Sequence, residues 1–259
     1  MDYTLFFDII ILGDNMRLFL IFVFLFYLGS STGWVLELFF RRFVENKKWV
    51  NPGFLVGPYL PIYGFGLVIL TALHLFIGQY NFHPAITIAL MGACMILLEF
   101  ITGLIFLKLK IRLWDYRNYF LNYKGIICLG MSLLWIGLGG LYYYLLADYV
   151  MKALNWFSTH LSFSYVLGIF TGVFIIDLVY STKLYKKIRK YAKNNNIVIM
   201  YENLKLHIRN IQDTAKEKYS FLLPFKQTRN LLEYLVGYKP EEPAPKKTRK
   251  KAKNEKRGS

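Results

Sequence analysis

The chain reads as an all-α, polytopic membrane protein with five transmembrane helices. Three observations predict this. Of the 259 residues 55% are hydrophobic, yet the formal net charge is +16, and the two properties are segregated: 21 of the 32 Lys and Arg residues follow residue 182. Five apolar runs approach the roughly 20 residues that a helix needs to cross a hydrocarbon core about 30 Å thick. Lys and Arg counts between the runs alternate low and high, the pattern that cytoplasmic loops impose.

The elements follow in order. Residues 1–17 form an N-terminal interfacial segment, since the opening apolar stretch is too short to span and contains Asp8. It also lacks the basic start of a signal peptide. The runs at 18–40, 54–78, 84–107, 126–147 and 164–181 are the five spans of a transmembrane domain covering 18–182. The connection after the first run carries Arg41, Arg42, Lys47 and Lys48, the next carries no Lys or Arg, and the third carries Lys108, Lys110, Arg112, Arg117 and Lys124. The fourth has Lys152 alone. This places the N-terminus outside and the C-terminus inside.

Residues 183–238 form basic amphipathic helices on the cytoplasmic side. The stretch LYKKIRKYAK continues the fifth helix, and Tyr201, Leu204, Ile208 and Ile211 recur at helical spacing; a third short helix is expected at 231–236. Residues 239–259, rich in Pro and Lys, are too polar to bury a core and are read as disordered. This charge suits the anionic headgroups of a lipid bilayer, worth about 1 kcal/mol per cation near the surface. Nucleic acid is a less economical partner for a chain with five spans.

An internal repeat runs through the spans. Gly57-PYLPIY-Gly64-F-Gly66 and Gly130-MSLLWI-Gly137-L-Gly139 share one glycine spacing. Upstream lie in turn an Asn and a Gly (Asn51, Gly53; Asn122, Gly125), a Trp (Trp49; Trp114) and a Glu (Glu37; Glu99). Residues 18–78 and 84–147 are therefore read as two parallel helical hairpins.

Glu99 is the costly residue. At 1.5 Å rise per residue it lies about 12 Å from the inner end of its helix, where an acid must be uncharged or partnered. Glu37 and Asp115 sit at the rim, with Glu37 one turn from Arg41. The stretch NPGFLVGPYLPIYGFG, with Pro58 and Pro61 between Gly57 and Gly64, is read as a broken helix carrying Tyr59 and Tyr63. Its free carbonyls are expected to line a polar cavity, because non-helical backbone in a membrane must be buried in protein or lie against water. With the gates Asn51 and Asn122, the loop residues Trp114 and Tyr116, and Trp135 in the matching stretch, these residues are the candidate ligand-binding site.

Cys94 and Cys128 fall inside spans without metal-ligating neighbours, and no nucleotide-binding or hydrolase motif occurs, so no metal or cofactor is expected. GWVLE before the broken stretch and LWDYRNYFLNYKGIICLGMSLLW after it give the chain a resemblance, over roughly residues 18–182, to the ABC-transporter type IV family of CmpB-like bacterial membrane proteins. The resemblance implies a permease of the bacterial cytoplasmic membrane that works with a separate ATPase subunit. The residues alone leave two other classes open, an intramembrane enzyme acting on a lipid or lipid-linked substrate and a non-catalytic scaffold. They also leave the oligomeric state open, a homo-oligomer included.

Overall fold

The computed structural model describes residues 15–45, 49–78, 80 and 82–214. Most of the N-terminal interfacial segment, the helix expected at 231–236 and the basic tail lie outside these residues.

Most of the apolar part of the described chain is helical. Helix α1 (Asn15–Phe40) runs on into a π-helical turn, Arg41–Glu45. Then come α2 (Pro61–Ile77), α3 (Pro84–Lys108), α4 (Leu129–Leu141) with a π turn Tyr142–Leu146, and α5 (Ala147–Thr159). Last are α6 (Ser164–Asn194) and α7 (Tyr201–Thr214). Among the described residues four stretches are long and apolar enough to cross a membrane: Asn15–Phe43, Pro84–Lys108, Leu129–Thr159 and Leu161–Asn194. Helix α2, the fifth apolar helix, has 17 residues, about 26 Å at 1.5 Å each, just short of the hydrocarbon thickness.

That shortness corrects the expected span at 54–78. The helix begins only at Pro61, which occupies its first turn after an extended Leu60. Proline has no N–H to lose at a helix start, and it keeps the residue before it out of the helical region. The stretch is therefore an extended segment followed by a regular helix, with Pro58 in the former and Gly64 and Gly66 in the latter.

Packing pairs α1 with α2 and α3 with α4. The apolar core between them gathers Ile21, Leu25, Leu70, Met91, Met95 and Trp135. Helix α5 stands where only a loop was expected. Its Val150, Met151, Leu154 and Phe157 are buried at helical spacing, and Phe157 stacks on Phe24 of α1 at 4.6 Å.

A second core lies at the basic end. The polar half of α6 continues the helix as its sequence predicts, and Tyr185, Ile188 and Ala192 pack there with Tyr201, Leu204 and Ile208 of α7. Two short strands, β1 (Ile111–Arg112) and β2 (Ile199–Met200), pair in parallel and tie this unit to the end of α3. Helix α7 thus buries its apolar face against protein.

Of the repeat's three glycine pairs, Gly66 and Gly139 are placed alike, a Cβ at either meeting a methionine of α3, and the other two are not. Gly57 precedes α2 and Gly130 lies inside α4. A Cβ on Gly64 would stand 2.2 Å from Ser30 Oγ, whereas at Gly130 and Gly137 it would meet nothing within 4 Å.

Candidate functional site

Both connections at the basic end fold back along the helices. In the first, Leu60 N–H donates to Ser30 O at 3.0 Å, ten residues before the end of α1, about 15 Å along its axis. Asn51, 1% exposed, organises this segment. Its Oδ1 accepts from Trp34 Nε1 at 2.9 Å and from Gly53 N at 3.2 Å. Its Nδ2 donates to Leu55 O at 3.1 Å and to Val56 O at 2.8 Å.

The remaining groups of the segment are met from the other side. Asp177 of α6 accepts from the N–H groups of Val56 at 3.1 Å and Gly57 at 2.7 Å, and Ser181 Oγ donates to it at 2.9 Å. Tyr201 OH donates to Phe54 O at 3.2 Å, and Lys205 Nζ donates to Asn51 O and, at 2.6 Å, to Gly53 O. Gly57 is required here because a Cβ would fall 2.3 Å from the Tyr59 ring and 3.0 Å from Asp177 Oδ2. Tyr59 itself is buried and packs edge-on to Phe174 of α6 at 5.6 Å.

Burial and the nearby Arg41 guanidinium push the Lys205 amine down to about 7, against a smaller opposing pull from Glu202. The Arg41 side chain bridges Glu37, 3.0 Å away, and Glu202. Glu37 also accepts from Tyr63 OH at 3.0 Å. A polar chain therefore runs from α7 through Arg41 and Glu37 to α2.

The second connection holds the other acid. Glu99, 3% exposed, accepts from Tyr116 OH at 3.1 Å and from Trp135 Nε1 at 2.9 Å. Both donors are neutral, and Glu99 makes no ion pair among the described residues. The two halves meet where the Tyr63 and Trp135 rings lie 6.2 Å apart. Each hairpin thus has an acid on its first helix bonded to an aromatic donor on its second, Glu37 with Tyr63 and Glu99 with Trp135. This pairing is one residue out of the glycine register.

The model of the family described as Putative ABC-transporter type IV matches residues 24–182. The chain belongs to this family. No curated protein and no solved structure matches it. The matched region takes in both folded-back connections, both acids and Asp177, and it ends before Tyr201, Glu202 and Lys205. Side chains from beyond the matched residues therefore complete the first connection.

The candidate residues of the sequence divide into two groups. Glu37, Asn51, Tyr63, Glu99, Tyr116 and Trp135 form the polar core, with Gly57, Tyr59 and Gly64 shaping it. Asp115 and Asn122 brace the second connection instead. Asp115 takes a two-point contact from Arg117 with Arg112 at 3.6 Å, while Asn122 Nδ2 donates to Arg117 O and Tyr119 O, each at 3.0 Å. Trp114 Nε1 donates to Ile126 O at 2.8 Å.

Between Asn51 and Val56 no polar cavity opens among the described residues. The indentation lined by Asn51, Gly53, Phe54, Leu55, Val56, Tyr201 and Lys205 has no room for a water molecule. Its carbonyls are satisfied by side chains, which explains how so many helix breakers are accommodated. Sequence reasoning did not count Trp34, Asp177, Tyr201 or Lys205 among the site residues. Lys205 looked like one of many basic residues, although its place beside Leu204 on an apolar helix face distinguished it.

Proposed function

We propose that this chain is the membrane-embedded, permease-type subunit of a transport system, with its polar site in the half of the bilayer nearest Arg41 and Lys108. The chain is a membrane protein of a transport-related family by its match and its apolar helices. The observation that carries the reading is the setting of Glu99, a buried acid held by neutral donors from two different segments. A carboxylate in apolar surroundings without a cation is expensive and marks a pathway more often than a scaffold.

In this reading the chain crosses the membrane five times, with α2 and its preceding segment as the second span, the N-terminus outside and the C-terminus inside. Hairpins 18–78 and 84–147 are two copies of one unit, supported by the Glu37–Tyr63 and Glu99–Trp135 pairs. The energy source is a separate ATPase subunit, as the family name suggests, and the location is the bacterial cytoplasmic membrane. The basic region after residue 214 serves contact with anionic headgroups.

The reading is tested in inside-out membrane vesicles from cells overproducing the chain, comparing ATP-driven solute uptake with vesicles lacking it. Uptake that depends on the chain and leaves vesicle lipids chemically unchanged is expected. Conversion of a lipid or lipid-linked compound without uptake would support the enzyme reading instead.

A further inference from the structure

The connection between α3 and α4 presents a surface that the polar core does not use. Glu99 lies nine residues before the end of α3, about 13 Å along the axis, and Tyr116 reaches back to it. Tyr123 lies beside Phe100 with ring centroids 5.8 Å apart. The chain therefore turns back along α3 at a depth where lipid surrounds the helix.

Irregular backbone facing lipid is costly unless its polar groups are met from within. At the base of the turn many of them are met. The Asn122 amide ties down two carbonyls of the turn, Arg112 Nη2 takes Lys124 O at 3.1 Å, and Tyr116 N–H takes Gly125 O at 2.9 Å. Tyr123 N–H donates to Ile127 O at 3.0 Å, and Ile126 N–H to Tyr123 O at 3.0 Å.

What the tip of this turn displays is apolar. Phe120 is 73% exposed and Leu121 66%. Leu121 is held at a φ of 48°, a left-handed conformation uncommon outside glycine. Arg117 and Lys124 flank the tip, and Lys124 lies over the Tyr123 ring at 5.3 Å. Long basic side chains of this kind place their stems along apolar surface and their charge at the headgroups.

We propose that residues 116–125 form a lipid-facing wedge, with Phe120 and Leu121 among the acyl chains of the near leaflet and Lys124 at anionic phosphates. The occupant is phospholipid, chosen by charge complementarity and by the exposed apolar tip. This inference depends on the membrane assignment and not on transport.

The test places a spin label at Phe120→Cys in the full chain with Cys94→Ala and Cys128→Ala, reconstituted in phosphatidylethanolamine–phosphatidylglycerol vesicles. A second label at Asn195→Cys, on an exposed turn, is the aqueous reference. The Phe120 label should collide with oxygen and be several-fold less accessible to a water-soluble nickel reagent than the reference. Adding Lys124→Gln should move it toward water in these vesicles and not in pure phosphatidylcholine. Equal nickel access at both labels, dipolar coupling between copies, shielding from both reagents, or no effect of Lys124→Gln would overturn the proposal. Should the cysteine-free chain not fold, a photoreactive benzoylphenylalanine at Phe120 in the native-cysteine chain gives the same decision. A phospholipid adduct supports the wedge, and a protein adduct or none contradicts it.

Discussion

Lys205 on α7 donates to the backbone carbonyl of Asn51, joining a helix beyond the family's matched region to the re-entrant segment within it. Both residues are at most 2% exposed. The amine has carbonyl partners and no carboxylate bonded to it among the described residues, since Glu202 is engaged by Arg41. Burying such an amine is cheaper when it is neutral.

The docking of α7 is therefore expected to depend on pH, with a definite sign. Docked Lys205 titrates at about 7, while a solvated lysine titrates near 10.4. Between these values the undocked state binds the extra proton, so docking strengthens as pH rises above 7 and is weakest below it. Hydrogen exchange of peptides spanning residues 199–208, corrected for intrinsic rates, should slow between pH 7 and 8.5 by up to about tenfold per unit. Lys205→Met should remove this dependence. Protection in the wild type that is flat or falls with pH would contradict the assignment.

Asn51 and Asn122 look alike in sequence and should differ in consequence. Asn51→Ala strands Trp34 Nε1 and the carbonyls of Leu55 and Val56 in a buried place, each such loss costing about 1–3 kcal/mol. Asn122 is half-buried and closes a turn, so Asn122→Ala should cost about 1 kcal/mol or less. Thermal denaturation in detergent checks this. Equal midpoint shifts would show that Asn51 does not organise the segment.

The glycines make a parallel prediction. Gly57→Ala places a methyl group against the Tyr59 ring and Asp177, an overpacking worth roughly 1–3 kcal/mol. Gly130→Ala and Gly137→Ala point into open space, and alanine favours a helix over glycine by up to about 1 kcal/mol. Folded yield and melting temperature should fall for the first and hold or rise for the others.

How far the sequence foretold this arrangement depends on the kind of signal. Hydropathy runs located α1, α3, α4 and α6, since lipid demands length and apolarity together. The segment before Pro61 was recognisable as non-helical from its prolines, but its partners were not, because Asp177 and Lys205 are more than 100 residues away in the chain. Glu99 stood out by depth alone. Trp135 and Tyr116 entered the candidate list by motif, and only the tertiary fold shows that both donate to it. Helix α5 was missed because its apolar stripe is short and interrupted by Asp148 and Lys152, although Val150, Met151, Leu154 and Phe157 keep the period of a helix.

Ion pairing at the rim is expected to matter less than the buried core. Arg41 and Glu37 are partly exposed, so Arg41→Gln should lower stability modestly, by about 1 kcal/mol. Its sharper effect should be faster exchange in α7, because the link to Glu202 is lost. Unchanged exchange there would mean that Lys205 and Tyr201 hold α7 unaided.

The polar core stands or falls with Glu99. Glu99→Gln keeps the shape, but its amide N–H₂ faces one of the two donors and cannot accept from it, a cost of roughly 1–3 kcal/mol. The decisive measurement is ATP-driven uptake per folded molecule in inside-out vesicles, taken beside the melting temperature of the same variant. Uptake abolished in a variant that remains folded is the predicted result. Wild-type uptake per folded molecule, with only the melting temperature lowered, would reduce Glu99 to a structural partner and contradict the account.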